Sequence, residues 1–140
     1  MKRVVIADAV LRRWVQAQLP ETAREWVKIE EIGAEGADIV VVRSTDPLPL
    51  QGGRCGILLL PAGSAPKMRS RSVVSYGNTG KDTLAVSGIE QEKILISLER
   101  ELVTVWGKRV ERQEIFAKRD LETEGMLAGV GVLILLGLSE

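Results

Sequence analysis

Arg3-Val4-Val5-Ile6-Ala7, followed at once by Asp8, decides how the rest of the chain is read. An unbroken apolar run of this length reads as a parallel strand buried on both faces. Asp8 then caps a helix whose apolar positions Val10, Leu11, Trp14, Val15 and Leu19 share one face, and Pro20 ends it. A strand feeding a capped helix is the opening unit of an α/β sheet.

Working outward, Trp26-Val27-Lys28-Ile29-Glu30 alternates in the manner of a sheet edge. Gly33 and Gly36 turn the chain into Asp38-Ile39-Val40-Val41-Val42, a buried strand. After Pro47 and Pro49 come two more strands, Gly56 to Leu60 and Ser72 to Tyr76. The grammar then changes. Thr83 to Val86, Lys93 to Leu98, Leu102 to Val105 and Arg109 to Phe116 are short strands joined by polar turns, and short links favour antiparallel neighbours. Trp106-Gly107-Lys108 reads as a hairpin connection with glycine at positive φ. Asp120 to Leu138 is a last helix, its first turn carrying Glu122 and Glu124. The expectation is one α/β domain, 1–140: Rossmann-like βα units with a largely parallel sheet over 1–76, then antiparallel strands and a covering helix over 77–140.

Composition excludes much chemistry. The chain holds no histidine, which removes Ser-His-Asp and Cys-His hydrolysis and the usual zinc sites. Cys55 is the single cysteine, so no internal disulfide forms, and it reads as a small buried hydrophobe beside Ile57 to Leu60. Lysine plus arginine number 19 and aspartate plus glutamate 19, so no nucleic-acid partner is expected. Lys67, Arg69 and Arg71 form a local basic patch, read as a solvated loop following Pro61-Ala62-Gly63-Ser64. The apolar tail from Met126 to Leu138 falls short of the roughly 20 residues a membrane span needs, and reads as a helix buried on the sheet. Met1-Lys2-Arg3 enters a strand too short for a signal-peptide core, so a cytoplasmic location is expected.

Gly77-Asn78-Thr79-Gly80-Lys81-Asp82-Thr83 nearly spells a phosphate-binding loop. Such a loop reads G-x-x-x-x-G-K-[ST] and opens a helix, so that backbone amides wrap the phosphates. Here the first glycine is too close, Asp82 stands where the metal-binding hydroxyl belongs, and Thr83-Leu84-Ala85-Val86 reads as a strand.

The order of segments resembles the second half of the Mur ligase central domain, over roughly residues 37–139. Val73-Val74-Ser75-Tyr76-Gly77 is similar to that family's V-[TS]-[FY]-G strand, which leads into antiparallel strands and a helix ending Leu-Gly-Leu, as Leu136-Gly137-Leu138 does. Ala37 to Pro47 resembles its strand ending N-x-D-D-P, with Arg43 at the asparagine, Thr45 at the first aspartate, and Asp46 and Pro47 in agreement. The family's own P-loop and its other domains have no counterpart. The resemblance therefore implies a reduced relative without the parts needed for ligation.

The candidate site residues follow from these patterns. Asp8 and Asp46, with Arg43, lie at strand ends where open α/β sheets place ligands, and Thr79 and Lys81 could join them on a phosphate or magnesium-bound nucleotide. Each has a simpler role: Asp8 as helix cap, Asp46 in an ordinary Thr45-Asp46-Pro47 turn. Trp106 and Arg109 at the hairpin suit a protein interface. No catalytic or metal-binding set emerges. The favoured function is a non-catalytic domain acting through protein contacts or self-association, with no cofactor. The alternative is an ATP/Mg-binding or ligase-like protein using Gly77 to Thr83.

Overall fold

Successive side chains of a strand point to opposite faces, so Val4, Val5 and Ile6 commit β1 (Lys2–Ile6) to burial on both sides. The computed structural model describes residues 1–33, 35–46, 53–64 and 68–138. Pro47, Pro49 and Lys67 lie outside the described residues. Val4, Val5 and Ile6 are 4 % exposed or less.

After β1 come α1 (Ala9–Gln18), a short 3-10 turn (Glu21–Glu25), β2 (Val27–Glu30), β3 (Ile39–Val41), β4 (Arg54–Pro61), β5 (Arg69–Gly77), β6 (Leu84–Ile89) and β7 (Lys93–Leu98). A small hairpin, β8 (Leu102–Val103) with β9 (Arg109–Val110), precedes β10 (Gln113–Lys118) and α2 (Thr123–Leu135). Among the described residues eight strands form one sheet in the order β10-β7-β6-β5-β4-β3-β1-β2. The strands from β2 to β6 run parallel, and β7 lies antiparallel to both β6 and β10. The expected mixed α/β fold with a largely parallel sheet is the observed one.

Both helices sit on the same face, packed against each other. Beneath them lies the main core, in which Ile6, Ile39, Leu59, Tyr76, Leu84, Ile94, Ile96 and Leu98 meet Leu11 and Val15 of α1 and most of α2. A second cluster of Val5, Val40, Val42, Cys55, Leu58 and Leu60 occupies the other face. Helix α2 is apolar all round because it is buried all round, its first turn excepted. It can lie this low because Gly131 has no side chain. A Cβ there would stand 2.9 Å from Leu84 Cδ1 and 3.1 Å from Leu59 Cδ2. No helix among the described residues is long and apolar enough to cross a membrane.

Four local readings change. Arg69 and Arg71 belong to β5 and not to a loop, since the ladder with β4 already begins at Arg54 opposite Arg69. The stretch Arg109 to Phe116 is two strands, because Arg109 and Val110 pair with β8 whereas Gln113 onward joins β7. The parallel part also runs past Tyr76, since β5 and β6 pair in parallel before β7 reverses. Val10 is 53 % exposed, as it lies about 100° round the helix from buried Leu11.

Candidate functional site

Parallel strands deliver their C-terminal ends to one edge, the position at which open α/β sheets bind ligands. That edge gathers Asp8 after β1, Arg43 and Asp46 after β3, and the Gly77 to Thr83 loop after β5. Arg43 is its centre. Its side chain is 9 % exposed, and its guanidinium reaches three carboxylates: Glu124 at 2.9 Å, Asp8 at 3.4 Å, and Glu122 in a close contact. Glu122 and Glu124 begin α2, so this group ties the last helix to the ends of β1 and β3.

Each partner is also occupied elsewhere. Asp8 caps α1 by accepting from Leu11 N at 2.9 Å. Glu122 caps α2 by accepting from Gly125 N at 3.1 Å. Glu124 accepts from Ser44 N at 3.0 Å and from its hydroxyl at 2.6 Å. Asp46 closes a tight turn, accepting from Arg43 N at 2.8 Å while its own amide donates to Arg43 O at 3.0 Å. Below this layer Tyr76 donates its hydroxyl to Val42 O at 2.6 Å.

The electrostatics follow from these contacts. Burial works against the charge on Arg43, yet Glu124, Glu122 and Asp8 outweigh it and raise the Arg43 pKa. Burial also pushes Glu124 up, but hydrogen bonds from Ser44 and Arg43 more than offset it, leaving Glu124 below its ordinary value. Asp46 is raised, by burial first and then by the neighbouring charges of Asp8 and Glu124. The Arg43 guanidinium is thus matched by three carboxylates, with Asp46 held on its backbone amide, while a second guanidinium at this edge, Arg12, donates to Ile6 O at 2.9 Å and Ala7 O at 3.1 Å. Among the described residues no three acidic or sulfur side chains group closely enough to hold a metal ion.

The glycine loop is closed by its own aspartate. Asp82, 5 % exposed, accepts from Thr79 Oγ1 at 3.1 Å and from Thr79 N at 3.4 Å. A Cβ on Gly77 would stand 2.5 Å from Asp82 Oδ2, so the glycine makes room for this carboxylate. Lys81 is exposed, and among the described residues it donates only its amide, to Thr79 Oγ1 at 3.3 Å. Asp8, Arg43 and Asp46 are brought together. No hydrogen bond among the described residues joins Thr79 or Lys81 to them. Glu122 and Glu124 escaped the sequence reading as partners of Arg43, although an acidic pair opening a helix was the available signal.

Trp106 and Arg109 stand at the opposite edge of the sheet. The Trp106 ring is edge-on to Trp26 at 5.0 Å, with Lys2 Nζ 5.0 Å from its centre. Its indole N–H donates to Leu136 O at 3.1 Å, and Val105 N donates to Leu135 O at 2.9 Å. The hairpin thus caps the C-terminal end of α2, where helix carbonyls otherwise lack partners. Trp106 remains 51 % exposed, and Arg109 makes a surface pair with Glu101 at 3.4 Å.

No family model, no curated protein and no solved structure matches this chain.

Proposed function

We propose that the chain is a non-catalytic binding domain that self-associates through the free edge of β10. The carrying observation is the self-complementary strand Glu114-Ile115-Phe116-Ala117-Lys118 at the outer edge of the sheet. Ile115 points into the core under the helices, and Phe116 points to the other face, where it is 67 % exposed. An antiparallel copy centred on Phe116 sets the two Phe116 rings side by side. It also places Glu114 across from Lys118 twice, once on each side of the two-fold axis. A register shifted by one pair loses both ion pairs.

The non-catalytic part is supported by the saturated Arg43 and by the glycine loop that Asp82 fills. An ATP or magnesium site in that loop is the weaker reading, since a phosphate would meet the Asp82 carboxylate. The succession of strand, glycine loop, antiparallel strands and closing helix supports a reduced relative of the bacterial Mur ligase central domain. A cytoplasmic setting suits the lone thiol of Cys55.

Sedimentation velocity tests the interface. The expected result is a dimer for the wild type and a monomer for Lys118→Glu, with Glu114→Lys/Lys118→Glu restoring the dimer. A wild type that stays monomeric at every concentration, or a Lys118→Glu variant that still dimerises, overturns it.

A further inference from the structure

We infer that the cavity at the start of β4 and β5 binds a compact phosphate monoester, held by Arg54, Arg69 and Arg71. The cavity measures about 480 Å³ and lies at the edge of the sheet opposite the Arg43 cluster. That is within the usual range for small-molecule sites, roughly 300–1,000 Å³. Among the described residues its wall is formed by the turn into β3 at Gly36 to Asp38 and by the first residues of β4 and β5.

The arrangement of charge carries the inference. Arg54 and Arg69 stand directly opposite each other in the parallel ladder, a like-charge pairing that destabilises a sheet when nothing lies between. Arg71 follows two residues on, hence on the same face as Arg69. Its guanidinium lies over Gly56, where a Cβ would stand 3.2 Å from Arg71 Nη2 and 2.7 Å from Asp38 O. All three arginines line one space, in a chain whose total charge is zero.

Among the described residues none of these guanidiniums takes part in an ion pair. The salt bridges use Lys2, Arg3, Lys28, Arg43, Arg109, Arg112 and Lys118 instead. The carboxylate on the wall, Asp38, is already engaged by Lys2 Nζ at 3.7 Å and by Arg3 N at 2.9 Å. Glu35, nearby, accepts from the backbone amide of Arg54 at 2.7 Å and not from its side chain. Cys55 is 6 % exposed, and burial raises its pKa, so the thiol adds no negative charge.

Guanidinium forks match the paired oxygens of a phosphate, and two or three of them suit a dianion better than a single carboxylate. Ala37 and Cys55 add a neutral, partly apolar wall, which suits a monoester with a small organic body over inorganic phosphate. The site is independent of the β10 edge and stands or falls separately from self-association.

Thermal unfolding of the full chain tests this, with phenyl phosphate, inorganic phosphate and a single-stranded oligonucleotide each compared against chloride at matched ionic strength. The Lys118→Glu background removes any contribution from dimerisation. The expected result is a saturable rise in midpoint, larger for phenyl phosphate than for inorganic phosphate. Arg69→Gln and Arg71→Gln should each weaken the apparent affinity tenfold or more. Without ligand, Arg69→Gln should unfold at a higher temperature than wild type, because the like-charge pair is gone. A rise that chloride reproduces, that both variants keep, or that the oligonucleotide produces at lower concentration than phenyl phosphate overturns the assignment.

Discussion

Trp14 lies so close to Gly129 that a methyl group at that glycine would stand 2.6 Å from the ring carbon Cζ3 and 2.8 Å from Cε3. The two residues set the separation of α1 and α2, and they convert a helix glycine from a weakness into a requirement. The ring is held in place at its other end, where Nε1 donates to Asp120 Oδ2 at 3.1 Å.

Replacing Gly129 by alanine should therefore destabilise the fold. Alanine is favoured in a helix by about 1 kcal/mol, but overpacking costs about 1–3 kcal/mol, and the ring has no flexible end to yield. Denaturant unfolding should show a net loss of about 1 kcal/mol, and Trp14→Leu in the same chain should recover part of it. Additive single and double variants would show that the contact is not the source.

Trp106→Phe tests the cap on α2. It keeps an aromatic ring against Trp26 and removes the donor to Leu136 O, for an expected loss of about 1 kcal/mol. Hydrogen exchange should quicken at Gly137 and Leu138, whose amides close the same helix end on Ile134 O at 2.9 Å and Leu133 O at 2.8 Å. Unchanged exchange at both would mean that the turn holds the helix end without the indole.

Tyr76 is the single tyrosine of the chain, so phenolate absorbance reports on it alone. Burial drives its pKa far above the usual range, and its hydroxyl holds Val42 O. On raising the pH, the tyrosinate signal should stay flat until the fold itself is lost, and the two transitions should coincide. Tyr76→Phe leaves the buried Val42 carbonyl unpaired and should cost about 1–3 kcal/mol, read from the denaturant midpoint.

The Arg43 cluster makes stability depend on acid in a definite direction. Glu124 has a folded pKa below 4.5, so its contribution is complete above pH 4.5 and is lost as the pH falls through the folded value. Asp46, raised from 3.8, runs the other way and favours the fold as it takes up its proton. Arg43→Met leaves Asp8, Glu122 and Glu124 without their shared cation, which raises the folded pKa values of the group. At neutral pH the variant should lose about 2 kcal/mol, less than a fully buried pair would, because Glu122 remains exposed. The gap to wild type should narrow as the carboxylates protonate. A gap that stays constant with pH would assign Arg43 a packing role only.

The strands were legible because their pattern is local: Val4 to Ile6, Ile39 to Val42 and Ile57 to Leu60 announce burial on both faces within a few residues. The end of α2 was read too far: the helix stops at Leu135 and not at Leu138, because Gly137 takes a positive φ of 75°. Arg43 was read as a departure from a family pattern at a strand end, whereas its partners Glu122 and Glu124 lie 79 and 81 residues away. Spacing carries no trace of such a contact. The basic residues of β5 show the opposite failure. Arg69 and Arg71 look like loop residues because polar side chains outnumber apolar ones there, yet hydrogen bonding to β4 extends the strand past its apolar segment.

Helix α2 is the last element in chain order, and it packs on α1 and on every strand from β3 to β7. Synthesis delivers those strands first. Until Met126 to Leu135 leave the ribosome, the nascent sheet has only α1 to cover its main apolar face. Its middle, around Leu59, Tyr76 and Leu84, stays open to water or to a chaperone. The main core is thus complete only once this one helix has arrived. A polypeptide terminated before Met126 should be cleared by proteolysis rather than persist as a smaller domain.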